Sequence, residues 1–146
     1  MNRFILDNSV VMAWYFEDEA NDFTAAVLRQ LVESEALVPS IWPLEVANVL
    51  LVGERKGRST EARTGRFIAL LDVLPIRVDG ATSQQALSGI LTLAREQCLS
   101  SYDAAYLELA MREGLPLATQ DRALKAAAEK CGVGLLGTAG NLIRGV

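Results

Sequence analysis

Four carboxylates are placed where they can do chemistry. Asp7 closes the apolar run Phe4-Ile5-Leu6 and is followed at once by Asn8 and Ser9; Glu45 stands two residues after Pro43; Asp103 follows Ser100-Ser101-Tyr102; Asp121 follows Thr119 and Gln120. The chain contains no histidine, which removes the commonest general base and every Ser-His-Asp or Cys-His scheme. Cys98 and Cys131 are isolated thiols without CxxC spacing, so they indicate neither a zinc site nor a disulfide framework and are expected as reduced core residues. Any chemistry must therefore run on carboxylates. Two carboxylates about 5 Å apart repel by roughly 3 kcal/mol at an effective dielectric near 20, so four brought together either raise their pKa values or take up a cation. An all-oxygen donor set suits Mg²⁺ or Mn²⁺ better than zinc. One or two such ions lower the pKa of a bound water and steady developing charge on a phosphodiester. Ser9 and Thr119, close in sequence to Asp7 and Asp121, can supply hydroxyls that orient the ligands.

Each acid also has an ordinary explanation. Asp7 fits an Asx-turn that starts a helix. Acidic residues are favoured in the first turn of any helix by the macrodipole, which covers Glu45. Ser100-x-x-Asp103 fits a capping box, and Asp121 fits an N-cap. What sets the four apart is where the elements must put them. In an open parallel sheet the ends of the strands and the starts of the following helices share one edge, and the crevice outside that edge is where ligands bind.

The elements follow from local pattern. Arg3 to Leu6 reads as a short buried first strand, and Val10 to Phe16, apolar all round, as a short buried helix closed by the solvated acids Glu17 to Glu19. Asn21 caps a helix to about Ser34 with Phe23, Ala26, Val27 and Leu31 on one face. Ala36 to Val38 is a second strand. Pro43 opens a helix striped by Val46, Val49 and Leu50 and ended by Arg55-Lys56-Gly57. A further helix from Ser59 or Thr60 completes a helical hairpin carrying Arg55, Lys56, Arg58, Arg63 and Arg66, cations that either track a phosphate backbone or form a solvated face. Pro75 to Val78 is a third strand. Ser83 caps a helix to about Gln97 whose core stripe is Ala86, Leu87, Ile90, Leu91 and Ala94. A helix over Ala104 to Glu113, stopped by Gly114, is followed by the strand Pro116 to Thr119, the helix Arg122 to Lys130 and a last strand, Val133 to Leu136. Five short strands alternating with helices imply a three-layer α/β/α fold with a mainly parallel sheet.

At 146 residues the expectation is a single domain, residues 1–146, long enough to bury about 70% of its unfolded surface. No apolar run approaches the roughly 18 residues that span a bilayer, and Asp7 interrupts the one apolar stretch near the start, so a soluble cytoplasmic protein is expected. A net charge of −4 and a pI near 4.9 argue against broad electrostatic attraction to nucleic acid or anionic membrane, while leaving room for a local basic strip.

Four stretches taken together resemble a known family. Phe4-Ile5-Leu6-Asp7-Asn8-Ser9, Trp42-Pro43-Leu44-Glu45-Val46-Ala47-Asn48, the run from Ser101-Tyr102-Asp103-Ala104-Ala105-Tyr106 to Ala110, and Leu117-Ala118-Thr119-Gln120-Asp121 to Leu124 are similar to the PIN-domain ribonucleases, most closely the VapC-like toxins of bacterial toxin–antitoxin pairs. The resemblance spans nearly the whole chain, in the same order and at the same spacings. It implies a Mg²⁺- or Mn²⁺-dependent endoribonuclease that hydrolyses RNA with metal-activated water, with Asp7, Glu45, Asp103 and Asp121 at the family's four acidic positions. It also implies a small antitoxin protein whose tail blocks the site from a groove near the helical hairpin, and a homodimer as the basic unit. A housekeeping metal-dependent nuclease or phosphatase, or a non-catalytic binding module on the same fold, are the alternatives.

Overall fold

The first strand, β1 (Asn2–Leu6), is buried on both faces, which is why it reads as a continuous apolar run rather than an alternation. It lies at the centre of the sheet, parallel to β2 (Ser34–Val38) on one side and to β4 (Leu117–Ala118) on the other, so that Ile5 stands opposite both Leu37 and Leu117. With β3 (Ile76–Val78), β5 (Leu135–Leu136) and β6 (Leu142–Ile143) the strand order is β3-β2-β1-β4-β5-β6. The first five strands in this order are parallel, as the sequence pattern requires. The two-residue β6 pairs antiparallel with β5 and lengthens the expected sheet by one strand. This computed structural model describes residues 2–137, 142 and 143.

The chain runs outward from β1 through β2 to β3, then returns to place β4 on the other side of β1. The gap between β1 and β4 is therefore the topological switch point, where the connections diverge and leave a crevice at the carboxyl ends of the strands. Around that edge stand α1 (Asn8–Tyr15), α3 (Trp42–Arg55) and α8 (Arg122–Lys130), each leaving the sheet after a strand, and α7 (Ser101–Glu113), which runs back from the edge to start β4. All four present their N-termini there. The remaining helices are α2 (Asp22–Gln30), α4 (Glu61–Val73), and α5 (Thr82–Gln85) joined to α6 (Leu91–Gln97) through five residues of π-helix, Ala86–Ile90. Helix α7 lies against β1 and β4 between α6 and α8, while α1 packs with α2 and α3, giving three layers. Residues 104 to 110 of α7 are all buried, so this helix is apolar all round where it crosses the sheet. No helix among the described residues is long and apolar enough to cross a membrane.

Several boundaries depart from the sequence pattern for identifiable reasons. Helix α2 stops at Gln30, not near Ser34, because Ser34 pairs with Asn2 at the start of β2 and its hydroxyl takes a 2.9 Å bond from Gln30 Nε2. Ser83 is not the cap of the next helix: Asp79 Oδ2 accepts from the Ala81 N–H and the Thr82 hydroxyl, and α5 starts two residues earlier, with Ala81 at the N-cap. Leu87 is not core. The π-helical segment widens one turn and shifts the phase of the stripe, leaving Ile90, Leu93 and Ala94 buried and Leu87 89% exposed. Neither cysteine is core: Cys98 is exposed, with a left-handed φ of 55° that ends α6, and Cys131 is half-buried at the end of α8.

The hairpin of α3 and α4 turns at Gly57, whose φ of 75° is the left-handed conformation a glycine adopts without strain. Thr60 caps α4 by accepting from the Arg63 N–H, and Thr64 Oγ1 donates to Glu54 Oε2 at 2.7 Å across the pair. On the other side of the molecule Arg112 of α7 donates to both Glu108 and Asp79, tying the start of α5 to α7. The Arg112 guanidinium holds the Asp79 carboxyl below its ordinary range. The stability this gives is present above the ordinary carboxylate range and is lost as pH falls through the lowered value. Asp79→Ala, which removes the ion pair and the helix start together, is expected to cost about 2 kcal/mol at neutral pH. Asp79→Asn keeps the local turn but lacks the charge, so urea unfolding should show lower stability at neutral pH, by less than for Asp79→Ala, and a flatter acid limb of the stability–pH curve.

Candidate active site

Asp7 ends β1 at the switch point, with its N–H bonded to the Ala118 carbonyl of β4. It is the N-cap residue of α1 by position, yet its side chain caps nothing. Instead Oδ2 accepts hydroxyl hydrogen bonds from Ser9 at 2.6 Å and from Thr119 at 2.8 Å. Both hydroxyls are themselves acceptors: Thr119 Oγ1 takes the Asp121 N–H, and Ser9 Oγ takes the Gln120 N–H. Gln120 Nε2 then donates to the Ser9 carbonyl. The end of β1 and the turn between β4 and α8 are thus laced together through one carboxylate that is only 5% exposed. Burial pushes the Asp7 carboxyl above its ordinary pKa, and the hydroxyl bonds oppose that rise. The backbone of Asn8 and Ser9 also favours the ionised carboxylate, so the local turn contact accompanies the two hydroxyl bonds.

Glu45 and Asp103 complete the edge on the opposite side. Glu45, in the first turn of α3, is half-buried, and its Oε1 accepts from the hydroxyl of Tyr106 at 2.6 Å. Tyr106 is fully buried, and burial together with the neighbouring Glu45 charge drives its hydroxyl further from ionisation, so it is a fixed donor. It lies three residues after Asp103 on α7, hence on the same face, and is the site residue to which no role was assigned from sequence. The only available signal was that a buried tyrosine hydroxyl must find a partner. The capping box at Ser100 is half-formed: Ser100 Oγ accepts from the Asp103 N–H, but the Asp103 carboxylate is left for the crevice. Asp121 does act as the N-cap of α8, with Oδ1 accepting from the Leu124 N–H at 2.8 Å.

The four acids sense one another. Burial raises the pKa of Glu45, and the charges of Asp7 and Asp103 add to the rise. Asp103 is raised by burial and then by the charges of Asp7 and Asp121. Among the described residues no three acidic side chains enclose a common point at ligand distance. Mg²⁺ does not require that, since it is held through one or two carboxylates with water filling the rest of its octahedron. An oxygen-only set of mutually repelling, half-buried carboxylates around an anchored Asp7 therefore fits Mg²⁺ or Mn²⁺ in donor chemistry.

Family comparison agrees with this geometry. The PIN domain family matches residues 4–130, a span that includes all four acids. The chain belongs to the PIN-domain family. PIN domains are generally nucleases, and their nucleases typically use divalent metals. Among solved structures, the protein PAE2754 from Pyrobaculum aerophilum is 25% identical, with 86% of each chain covered and a TM-score of 0.63. The complex VapBC2 from Rickettsia felis, bound to a DNA fragment from its promoter, is 15% identical over 86% of this chain and 92% of that one, with a TM-score of 0.60, a likeness of fold. No curated protein sequence is significantly similar to the chain.

The cations of the hairpin are not brought to the acids. Arg55 lies in the last turn of α3 and Glu45 in the first, ten residues apart and so about 15 Å along the helix. Arg58 is engaged at the far end of α1 from Asp7: it donates to Asp18 at 2.9 Å and its guanidinium sits 4.0 Å from the centre of the Phe16 ring. Arg55 and Lys56 are exposed.

Because Asp7, Glu45 and Asp103 are all raised, the native chain binds more protons than the unfolded chain between the ordinary carboxylate pKa and the raised values. Stability in that window falls as pH rises. The metal-free PIN domain is therefore expected to melt higher at mildly acidic pH than at neutral pH, and Asp7→Asn to flatten that slope. Differential scanning calorimetry in EDTA at several pH values checks this; an unchanged slope in the variant assigns it elsewhere.

Proposed function

We propose that this PIN domain is a divalent-metal-dependent endoribonuclease and the toxin of a toxin–antitoxin pair. The observation that carries the reading is the convergence of Asp7, Glu45, Asp103 and Asp121 at the switch point, with Asp7 fixed by two hydroxyls. When bound there, Mg²⁺ or Mn²⁺ supplies a Lewis acid that acidifies water and steadies charge on the phosphodiester. The protein supplies position. Ser9 and Thr119 lock the Asp7 carboxylate, Tyr106 locks Glu45, and the Leu124 amide of α8 holds one oxygen of Asp121, so these three acids meet the substrate with little freedom left to lose. Four helix N-termini at the same edge favour an anionic phosphate beside the acids.

The remaining parts of the reading rest on family likeness. RNA is the substrate, Arg55 and Lys56 lie exposed on the hairpin as contacts for more distant phosphates with Arg58 held in reserve by Asp18, a small antitoxin protein covers the site, and a homodimer of single-domain chains in the cytoplasm is the working unit. The VapBC2 structure is a toxin–antitoxin relative in fold, which supports the partner.

RNA cleavage with Mg²⁺ or Mn²⁺, set against the same reaction in excess EDTA, tests the core of this. Cleavage is expected only with metal. Asp7→Asn and Asp121→Asn are expected to lose about 100-fold or more in rate. Asparagine caps as well as aspartate, so Asp121→Asn should keep its melting temperature. Equal cleavage in EDTA, or full activity in both folded variants, contradicts the assignment.

A further inference from the structure

The N-terminal ends of α3 and α7, which carry Glu45 and Asp103, also form two walls of a separate cleft of about 380 Å³. Ile41 lies one turn before Glu45, whose N–H bonds its carbonyl, and Tyr102 immediately precedes Asp103. The cleft is apolar at its floor, made by Ile41, Ile90 and Ala105, and along the side where Leu91 and the exposed Leu87 line it, and the exposed serines Ser83 and Ser101 stand at its rim. Tyr102 lines it with a ring that is 59% exposed, on a helix that is otherwise buried from residue 104 to residue 110. A flat aromatic face, an apolar floor and a rim of hydroxyls match a nucleobase, which has apolar faces and a hydrogen-bonding edge. The faces of a base are free only where the strand is unpaired and unstacked.

We propose that Tyr102 and this cleft form a nucleobase subsite, in which a base neighbouring the phosphodiester at the four acids leaves its stack and lies on the tyrosine ring. The inference rests on the nuclease reading and deepens it by naming the residue that would hold a base, which reaches the ring only from an unpaired, unstacked stretch of RNA. Stacking uses the ring and not its hydroxyl, so phenylalanine should serve as well as tyrosine.

The test measures binding and turnover separately. Fluorescence anisotropy with a short labelled single-stranded RNA and with its duplex, in Ca²⁺, is compared for wild type, Tyr102→Phe and Tyr102→Ala, and cleavage of the single strand is followed in Mg²⁺. The Ala variant is expected to bind the single strand about tenfold more weakly, with the loss appearing in KM more than in kcat, and the Phe variant to stay within about twofold of wild type. Affinity for duplex should not respond to either change. Wild-type affinity of Tyr102→Ala for the single strand overturns the subsite, as does equal loss on duplex. So does a change in molecular mass of Tyr102→Ala or Leu87→Ser on gel filtration without weaker RNA binding, which assigns the cleft to a second copy of the chain. Tyr102-dependent binding without metal-dependent cleavage sinks the nuclease reading and keeps the subsite; metal-dependent cleavage indifferent to Tyr102 does the reverse.

Discussion

A carboxylate placed as deep as Asp7 must be compensated, and most of the site is that compensation. Taking a charge of this size out of water costs several kcal/mol, and each hydrogen bond to a charged group offsets about 1.5–3 kcal/mol of it. Ser9 and Thr119 supply two such bonds, and the residual imbalance shows as the upward direction of the Asp7 pKa. Ser9 is supplied locally, two residues on, but the Thr119 hydroxyl reaches Asp7 only because β1 and β4 are adjacent, and β1 and β4 are adjacent only because the chain reverses its strand order there. The apolar strand, the switch point and the buried acid are one constraint seen at three scales.

The other acids are held more loosely, and by different means. Glu45 depends on a tyrosine that belongs to the core, Asp103 on a helix start that uses its amide and spares its carboxylate, and Asp121 on the cap it provides to α8. Each is half-buried, and each is pushed toward the crevice by its backbone rather than pulled there by a cation of the protein. Repulsion among them is tolerated because four helix N-termini aim partial positive charge at the same edge. A site of this kind stores electrostatic demand: it is least comfortable empty of positive charge and at neutral pH.

The parallel α/β fold, and the one sheet edge at which it places Asp7, Glu45, Asp103 and Asp121, were legible in the sequence because their signals are local. Apolar runs, helix caps and the strand–acid boundary each occupy a few residues, and the parallel sheet then forces the boundaries to one edge. What was not legible depends on distant partners or on backbone detail. The π-helical segment that exposes Leu87 has no sequence period of its own, and the exposure of Cys98 follows from a left-handed residue at a helix end that no glycine marks. The start of α5 was set by Asp79, three residues before the helix, under the influence of Arg112 from another helix. Tyr106 was visible as a core residue, but its bond to Glu45 spans 61 positions in the chain. The hairpin cations illustrate the opposite limit: charge counting located Arg55, Lys56 and Arg58, and only the fold reveals that they stand a helix length from the acids.

On the proposed reading the four carboxylates at the switch point form one divalent-cation site anchored on Asp7. Electron paramagnetic resonance of free Mn²⁺ during titration into the purified protein measures that occupancy without any substrate. Wild type is expected to remove Mn²⁺ from solution at a saturable site, with affinity falling at mildly acidic pH as the acids protonate, and Asp7→Asn to lose most of that binding. Wild type that leaves all the Mn²⁺ free, or an Asp7→Asn variant that binds it as tightly as wild type, would contradict the claim.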